Sequence, residues 1–551
     1  MRGKASDEPG PELDPRTGDG APPSAISEDP ELERIVESEW APPSAIPTAE
    51  PLRAAPAEDG VGRQATSGVL WLTAQKWAIR LLGFVTIAVL TRLLSPEDFG
   101  TVAAASTILP FFYLLSDLGF AAYIVQVTKA DQRMLSTAFW FSLSAGVVLC
   151  GALVAIAPVM GVVFGNPRVV PVLQALALWV IFTAFGSVPM AILRRNMRFS
   201  VLAGQGAIAA VIAQVVAMIM AFSGLGVWAL VGQSLVAPAI TTILAWITSR
   251  WHPNLMFSRR EFAVMTRYGG QVLGVEFVAM LRASGEAAVI SSTLGVAALG
   301  YMNIAQRLVQ VVQDLTGSAI VPVTTVAFAR IRENQERLLS AYLRALRMSY
   351  AALSLPLTIV GVAAPMIVPI LFGKAWEASY PIAQILAIAG ILTVGAWLDH
   401  GLFYGVGKPG RWFVYALVID GITFGTTAAL AHSGLLFVAW GFLVVCVVAT
   451  VSRWFLVTRI LSAPIRVVAG PLIYVVTAVV ASGAAGWGVM LVTRGLPSLV
   501  SIILIAAAVT VVHLIVTRLV APQVISEGLA ILTRSKWGNR IPILRNRRAQ
   551  P

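Results

Sequence analysis

Val170-Pro171-Val172-Leu173-Gln174-Ala175-Leu176-Ala177-Leu178 can be laid against Tyr380-Pro381-Ile382-Ala383-Gln384-Ile385-Leu386-Ala387-Ile388. Pro, Gln, Leu and Ala fall in step, and most of the remaining positions exchange one apolar residue for another. Phe164-Gly165 precedes the first stretch and Phe372-Gly373 the second, and Leu94 through Gly100 lies opposite Leu294 through Gly300. Both copies sit in long apolar segments, so the chain reads as an internally duplicated membrane protein. Duplicated helical bundles are the usual architecture of transporters, with the substrate route between the halves.

Composition agrees. Of 551 residues 57% are hydrophobic and only 12% charged, with a mean hydropathy of +0.78, far from the roughly 25% charged of a soluble domain. Cys150 and Cys446 both lie in apolar stretches, which offers neither a disulfide framework nor a metal site. No short apolar core follows basic residues at the N-terminus, so the first span is expected to act as the insertion signal. The net charge of +12 is uneven: residues 1–60 hold 14 of the 28 acidic residues but five of the 40 basic ones. The basic remainder is explained by Lys- and Arg-rich cytoplasmic loops and calls for no nucleic-acid partner.

The expected fold is an all-α polytopic membrane protein of about 14 transmembrane helices, two pseudo-symmetric six-helix lobes plus two C-terminal helices. Residues 1–66, rich in Pro, Glu, Ala and Ser, are expected to form a disordered acidic cytoplasmic tail. Within it Ala21-Pro22-Pro23-Ser24-Ala25-Ile26 recurs as Ala41-Pro42-Pro43-Ser44-Ala45-Ile46. An N-lobe of spans 1–6 follows over 67–256, a C-lobe of spans 7–12 over 257–463, accessory spans 13 and 14 over 464–521, and a basic cytoplasmic tail over 522–551. The apolar segments, each near the ~20 residues that cross the hydrocarbon core, run 68–91, 99–124, 137–163, 168–192, 199–222, 226–248, 268–292, 299–326, 346–371, 379–404, 411–431, 434–457, 467–492 and 498–519. Ser95-Pro96-Glu97-Asp98 has the chemistry of a helix start, a capping Ser with a first-turn Pro and an acid three residues on. Asn166-Pro167 plays the same part for span 4, and Ser258-Arg259-Arg260-Glu261 opens an interfacial helix leading into span 7.

Even-numbered loops carry 18 Lys and Arg, odd-numbered loops only Arg92, Arg168, Lys374 and Arg494. The positive-inside rule then places both termini in the cytoplasm. No loop is long enough to hold a soluble catalytic domain.

An ionisable residue at mid-membrane costs roughly 2.5–3.5 kcal/mol even on lenient insertion scales and so faces a polar cavity or a partner. Here such residues concentrate in four spans. Lys76 and Arg80 share a face of span 1, and Asp117 lies in span 2 behind Pro110. Glu276, Arg282 and Glu286 lie in span 7. Asn303, Arg307, Gln310 and Asp314 form a stripe at helical spacing in span 8. Under the duplication, spans 1 and 2 correspond to spans 7 and 8, as expected of helices lining one central cavity. Lys76, Arg80, Arg282 and Arg307 suit an anionic headgroup such as a diphosphate. Arg282–Glu286 and Arg307–Asp314 also fit internal ion pairs. Asp399, His400 and Asp420 lie near the ends or middle of spans 10 and 11, and His513 is alone in span 14; the isolated histidines read as packing residues.

Thr91-Arg92-Leu93-Leu94-Ser95-Pro96-Glu97-Asp98-Phe99-Gly100, then Ser116-Asp117-Leu118-Gly119-Phe120 and Val125-Gln126, resemble the opening of the polysaccharide transporter family. These are Wzx/WzxC-type repeat-unit flippases of the multidrug/oligosaccharidyl-lipid/polysaccharide flippase superfamily. Ala191-Ile192-Leu193-Arg194-Arg195-Asn196-Met197-Arg198-Phe199, Leu294-Gly295, Leu299-Gly300-Tyr301 with Ala305, and Phe372-Gly373-Lys374-Ala375-Trp376 extend the resemblance over about residues 68–460. It implies a V-shaped alternating-access cavity lined by spans 1, 2, 7 and 8. Through it a polyprenyl-diphosphate-linked oligosaccharide would move from the cytoplasmic to the outer leaflet of a bacterial inner (plasma) membrane, with membrane lipids and other polysaccharide-assembly membrane proteins as partners. No cofactor is implied, and a proton or sodium ion is the candidate coupling ion. Two features depart from the family: Ser284-Gly285-Glu286 stands where an Asn-Asp pair is usual in span 7, keeping the acid on a longer arm, and the acidic N-terminal tail is additional.

Two other functions compete. A membrane glycosyltransferase or polymerase would need acids in a substantial outward loop, whereas Glu97 and Asp98 lie in a loop of about seven residues and suit a helix cap. A cation-coupled multidrug antiporter would favour an acid in span 1, where this chain has Lys76 and Arg80.

Overall fold

The computed structural model describes residue 79 and residues 82–127 and 130–527, and every regular element among them is a helix. In a bilayer a helix satisfies its own backbone groups, which water cannot do there. In chain order the helices are α1 (Leu82–Leu93), α2 (Pro96–Asp117), α3 (Gln132–Val163), α4 (Val169–Arg195), α5 (Phe199–Phe222), α6 (Trp228–Ser249), α7 (Arg259–Leu294), α8 (Val296–Ile331), α9 (Gln335–Phe372), α10 (Ser379–Gly405), α11 (Pro409–Leu430), α12 (Leu435–Leu461), α13 (Ile465–Val492) and α14 (Ser498–Val520). Eleven of them, α2–α6 and α9–α14, are long and apolar enough to cross a membrane. That number is counted among the described residues, and helices α7 and α8 have 36 residues each. The expected tail 1–66 lies outside the described residues, as do Lys76 and Arg80.

Helix starts follow their punctuation. Ser95 accepts from the Asp98 N–H while the Asp98 carboxylate accepts from the Ser95 N–H, a complete capping box. Asn166 Oδ1 accepts from the Arg168 N–H at 2.8 Å, just ahead of α4. Ser258 accepts from the Glu261 N–H. Three boundaries differ from the sequence expectation. Span 2 does not run to residue 124: Leu118 (φ 45°) and Gly119 (φ 74°) turn left-handed, and a short helix, Phe120–Gln126, resumes beyond them. The interfacial helix and span 7 form one continuous helix, α7. Helix α9 begins eleven residues before the apolar run, because Gln335–Ala345 is amphipathic and continues the helix as a polar extension.

Helices α2–α6 pack with one another, and α8, α9, α10 and α12 form the second bundle around α10, the most enclosed span. The two halves meet where α2 crosses α8. There a Cβ on Gly100 would collide with the Val296 carbonyl, and one on Gly300 with that of Pro96. Small residues at a crossing let helices approach closely, which matters where lipid supplies no hydrophobic drive for association. These two glycines are equivalent positions of the sequence duplication, so the repeat packs against its own counterpart.

The accessory pair joins the second bundle through polar pins. His513 lies between Ser354 of α9 and Ser482 of α13, 3.2 Å from each hydroxyl, a satisfied packing histidine. Ala363 of α9 packs with Ile505 and Val509 of α14. Beyond α14, Glu527 accepts from Arg347 at 3.3 Å, and Tyr474 donates to the Arg347 carbonyl.

Candidate functional site: charged groups on α7 and α8

Arg282 lies midway along α7 and meets two carboxylates. Glu286, one turn on, is 2.9 Å away, and Asp420 of α11 lies 2.7 Å from its Nε. All three side chains keep 20–27% of their exposure, so the cluster borders open space instead of being sealed in the protein. The i,i+4 pair expected from sequence is therefore present, and α11 adds a second acid. One guanidinium between two carboxylates leaves no further net cation at this point.

Arg307 is different. Asn303, Gln306, Arg307, Gln310 and Asp314 occupy one exposed face of α8, while Ile304, Ala305, Leu308 and Val309 are buried on the other. Among the described residues no ion pair engages Arg307, and none joins it to Asp314. A polar face of this kind turned to lipid would be costly, so it faces water. The α8 stripe is the clearest exposed polar surface among the described parts of the spans.

Asp117 does not join this surface. It is buried, its carboxylate receives the Ser187 hydroxyl and the Ala121 N–H (3.3 Å), and it thereby links α2, α4 and the short helix after the left-handed turn. Glu276 lies in α7, with its side chain outside the described ones. Ser284, which departs from the family pattern, donates to the Thr107 carbonyl at 3.0 Å, where α2 is interrupted ahead of Pro110. It thereby joins the two halves.

A second charged group lies deep in the C-terminal half, where Asp399, marked in the sequence, meets Arg453, which was not. Arg453 of α12 pairs with Asp399 of α10 at 3.5 Å, with side-chain exposures of 3% and 4%. Tyr342 of α9 donates to the other Asp399 oxygen at 2.6 Å, and Arg453 Nη2 donates to the Leu392 carbonyl and Thr450. A cavity of about 220 Å³, lined by Arg282, Asp420, Tyr415, Trp412, Thr450 and Arg453, separates this pair from the Arg282 cluster. The signal was present: Arg453 lies well inside an apolar span. Its partner is 54 residues away, beyond the reach of a helical-spacing argument.

Comparison with known proteins places these features. The family described as polysaccharide biosynthesis protein (Polysacc_synt_3) matches residues 89–381, more than half of the chain. The chain is 26% identical to the succinoglycan biosynthesis transport protein ExoT of Rhizobium meliloti, covering 70% of this chain and 78% of ExoT. It is 26% identical to the lipopolysaccharide biosynthesis protein WzxC of Escherichia coli, covering 71% and 80%, and 26% identical to the teichuronic acid biosynthesis protein TuaB of Bacillus subtilis, covering 79% and 90%. In fold it is similar to the lipid II flippase MurJ in an inward closed conformation, with a TM-score of 0.68 at 13% identity, covering 83% of this chain and all of that one. It is also similar to an inward-facing multidrug transporter of the MATE family, with a TM-score of 0.58 at 17% identity over 70% and 94%. A chain built on a duplicated helical bundle, with its charges gathered on α7 and α8, thus belongs to the polysaccharide biosynthesis protein family.

Proposed function

We propose that the protein is a flippase for polyprenyl-diphosphate-linked oligosaccharide repeat units, working by alternating access between its two lobes in a bacterial inner membrane. The observation that carries this reading is the water-facing stripe of α8 with Arg307 on it. A lipid-linked sugar must bring a polar head and its phosphates across a hydrocarbon core of ~30 Å. Fixed cations and amides along a wet face replace the lost hydration while the polyprenyl chain stays in lipid. Lys76 and Arg80, on one face of span 1 in the sequence reading, would add to the cationic set. The relatives named for succinoglycan, lipopolysaccharide and teichuronic acid biosynthesis support a glycan cargo.

Glu286 and Asp420 share one guanidinium, so a proton or sodium ion is the coupling species this cluster can take up. Loop charges support fourteen spans with both termini cytoplasmic. Partners beyond the lipid-linked glycan would be other membrane proteins of polysaccharide assembly.

The test is export of surface polysaccharide in a strain lacking its own copy, with membrane abundance measured in parallel. Lys76→Gln, Arg80→Gln and Arg307→Gln should each cut export about tenfold or more at normal abundance, the scale of one charge-assisted contact. Arg80→Lys should keep part of the activity, because charge survives but the bidentate fork does not. Full export by the Lys76→Gln/Arg80→Gln double variant at normal abundance would refute the anion-cradle reading.

A further inference from the structure

We propose that the bundle end holding the α1–α2, α3–α4, α7–α8 and α9–α10 turns is closed by a two-sided latch, one side strong and one weak, both built from the same duplicated segment. The inference rests on the two-lobe transport reading for its purpose but not for its geometry.

Each half clasps the other with its Phe-Gly turn. On one side Ser291, at the end of α7, donates to the Phe164 carbonyl at 2.7 Å, and Gly165 lies against Ser292. On the other, Arg92 at the end of α1 donates to the Ile370 carbonyl at 2.6 Å, and Trp376 Nε1 donates to the Thr91 carbonyl at 2.8 Å. In the duplication Thr91 matches Ser291, and Phe164-Gly165 matches Phe372-Gly373. The clasps are therefore reciprocal, each half's turn holding the first helix of the other. Between them, Gly100 and Gly300 set the crossing of α2 and α8.

The symmetry fails four residues past each Phe. The first turn has Arg168 there, which turns back to Glu97 of its own half at 3.4 Å, the two keeping 68% and 44% of their exposure, and so adds no anchor across the halves. The second has Trp376, fully buried, edge-on to Phe99 at 5.1 Å and to Tyr301 at 6.1 Å. A wet, exposed ion pair contributes little. A buried indole with a satisfied N–H contributes far more. The Trp376 clasp should hold while the Arg168 side yields first, so this end opens from the Phe164 side.

Spin labels at the exposed Ser223 and Ser433, one in each half at this end, read the opening as a distance distribution in detergent-solubilised or nanodisc-embedded protein without any substrate. Gly100→Ala and Gly300→Ala each place a methyl on a backbone carbonyl that no rotamer change can move, and should abolish the short-distance population. Trp376→Ala should shift the closed-to-open ratio at least about tenfold toward open. Arg168→Gln should shift it less than about fivefold. Trp376→Phe keeps the ring stack but not the donor, should fall between them, and decides the case if Trp376→Ala fails to fold. Unchanged distributions in both glycine variants would overturn the latch, and equal shifts for Arg168→Gln and the Trp376 variants would overturn its asymmetry. Export by Arg307→Gln with a normal distance distribution bears on the transport reading alone.

Discussion

At the residue scale, the pairing pattern of the intramembrane arginines separates structure from transport. Arg453 is buried with Asp399 and Tyr342, and removing one member of such a pair leaves an uncompensated charge in a medium that cannot solvate it, a loss of about 3–5 kcal/mol. Replacing both with apolar groups of similar size is often neutral. Arg453→Met should therefore deplete the protein from the membrane, and Arg453→Met/Asp399→Leu should restore abundance, as quantified by immunoblot against total membrane protein. Unchanged abundance in the single variant would refute a structural role for the pair. Arg307 has no such partner among the described residues, so Arg307→Gln should lower export without lowering abundance. Sequence could expose Arg282–Glu286, because both lie on one helix four residues apart. It marked Asp399 and Asp420 without their partners and passed over Arg453, since those partners arrive from other helices, and it could not show that Asp117 is spent on Ser187 and a backbone N–H.

At the scale of the element, local chemistry was legible wherever it is local. The Ser95 box and the Asn166 start are fixed by side chains within three residues of the backbone they cap, and both are present. Hydropathy, by contrast, marks where a helix enters lipid and not where it stops being helical, so the polar extension of α9 and the fusion of the interfacial turn with α7 were invisible to it. The left-handed pair Leu118-Gly119 was also missed, although a Gly just past the last helical turn is a helix-end signal. Orientation is an element-scale expectation too. Single cysteines near Glu97, Gly224 and Ser433 should react with a membrane-impermeant maleimide from outside the cell, and those near Arg195, Arg260 and Arg337 only after permeabilisation. Reversal at any two of these sites would refute fourteen spans with both ends inside.

At the scale of the whole molecule, the duplication read from Pro171 and Pro381 proved the most far-reaching feature, since Gly100 meets Gly300 and the Phe-Gly turns exchange partners as a pseudo-twofold relation requires. What sequence could not supply is how the two C-terminal helices attach. His513 between Ser354 and Ser482, with Arg347 and Glu527 at the far end, ties α13 and α14 to α9. On the proposed transport reading, the two bodies that move against each other are then unequal, six described helices against eight. A membrane is a viscous sheet in which a wider inclusion turns more slowly, so the narrower partner covers most of the angle in the time available. Transport strokes in this protein should accordingly be carried by the N-terminal half swinging against a C-terminal half that serves as keel. Distances from α13 to α9 should stay constant across the cycle while those from α5 to α9 change.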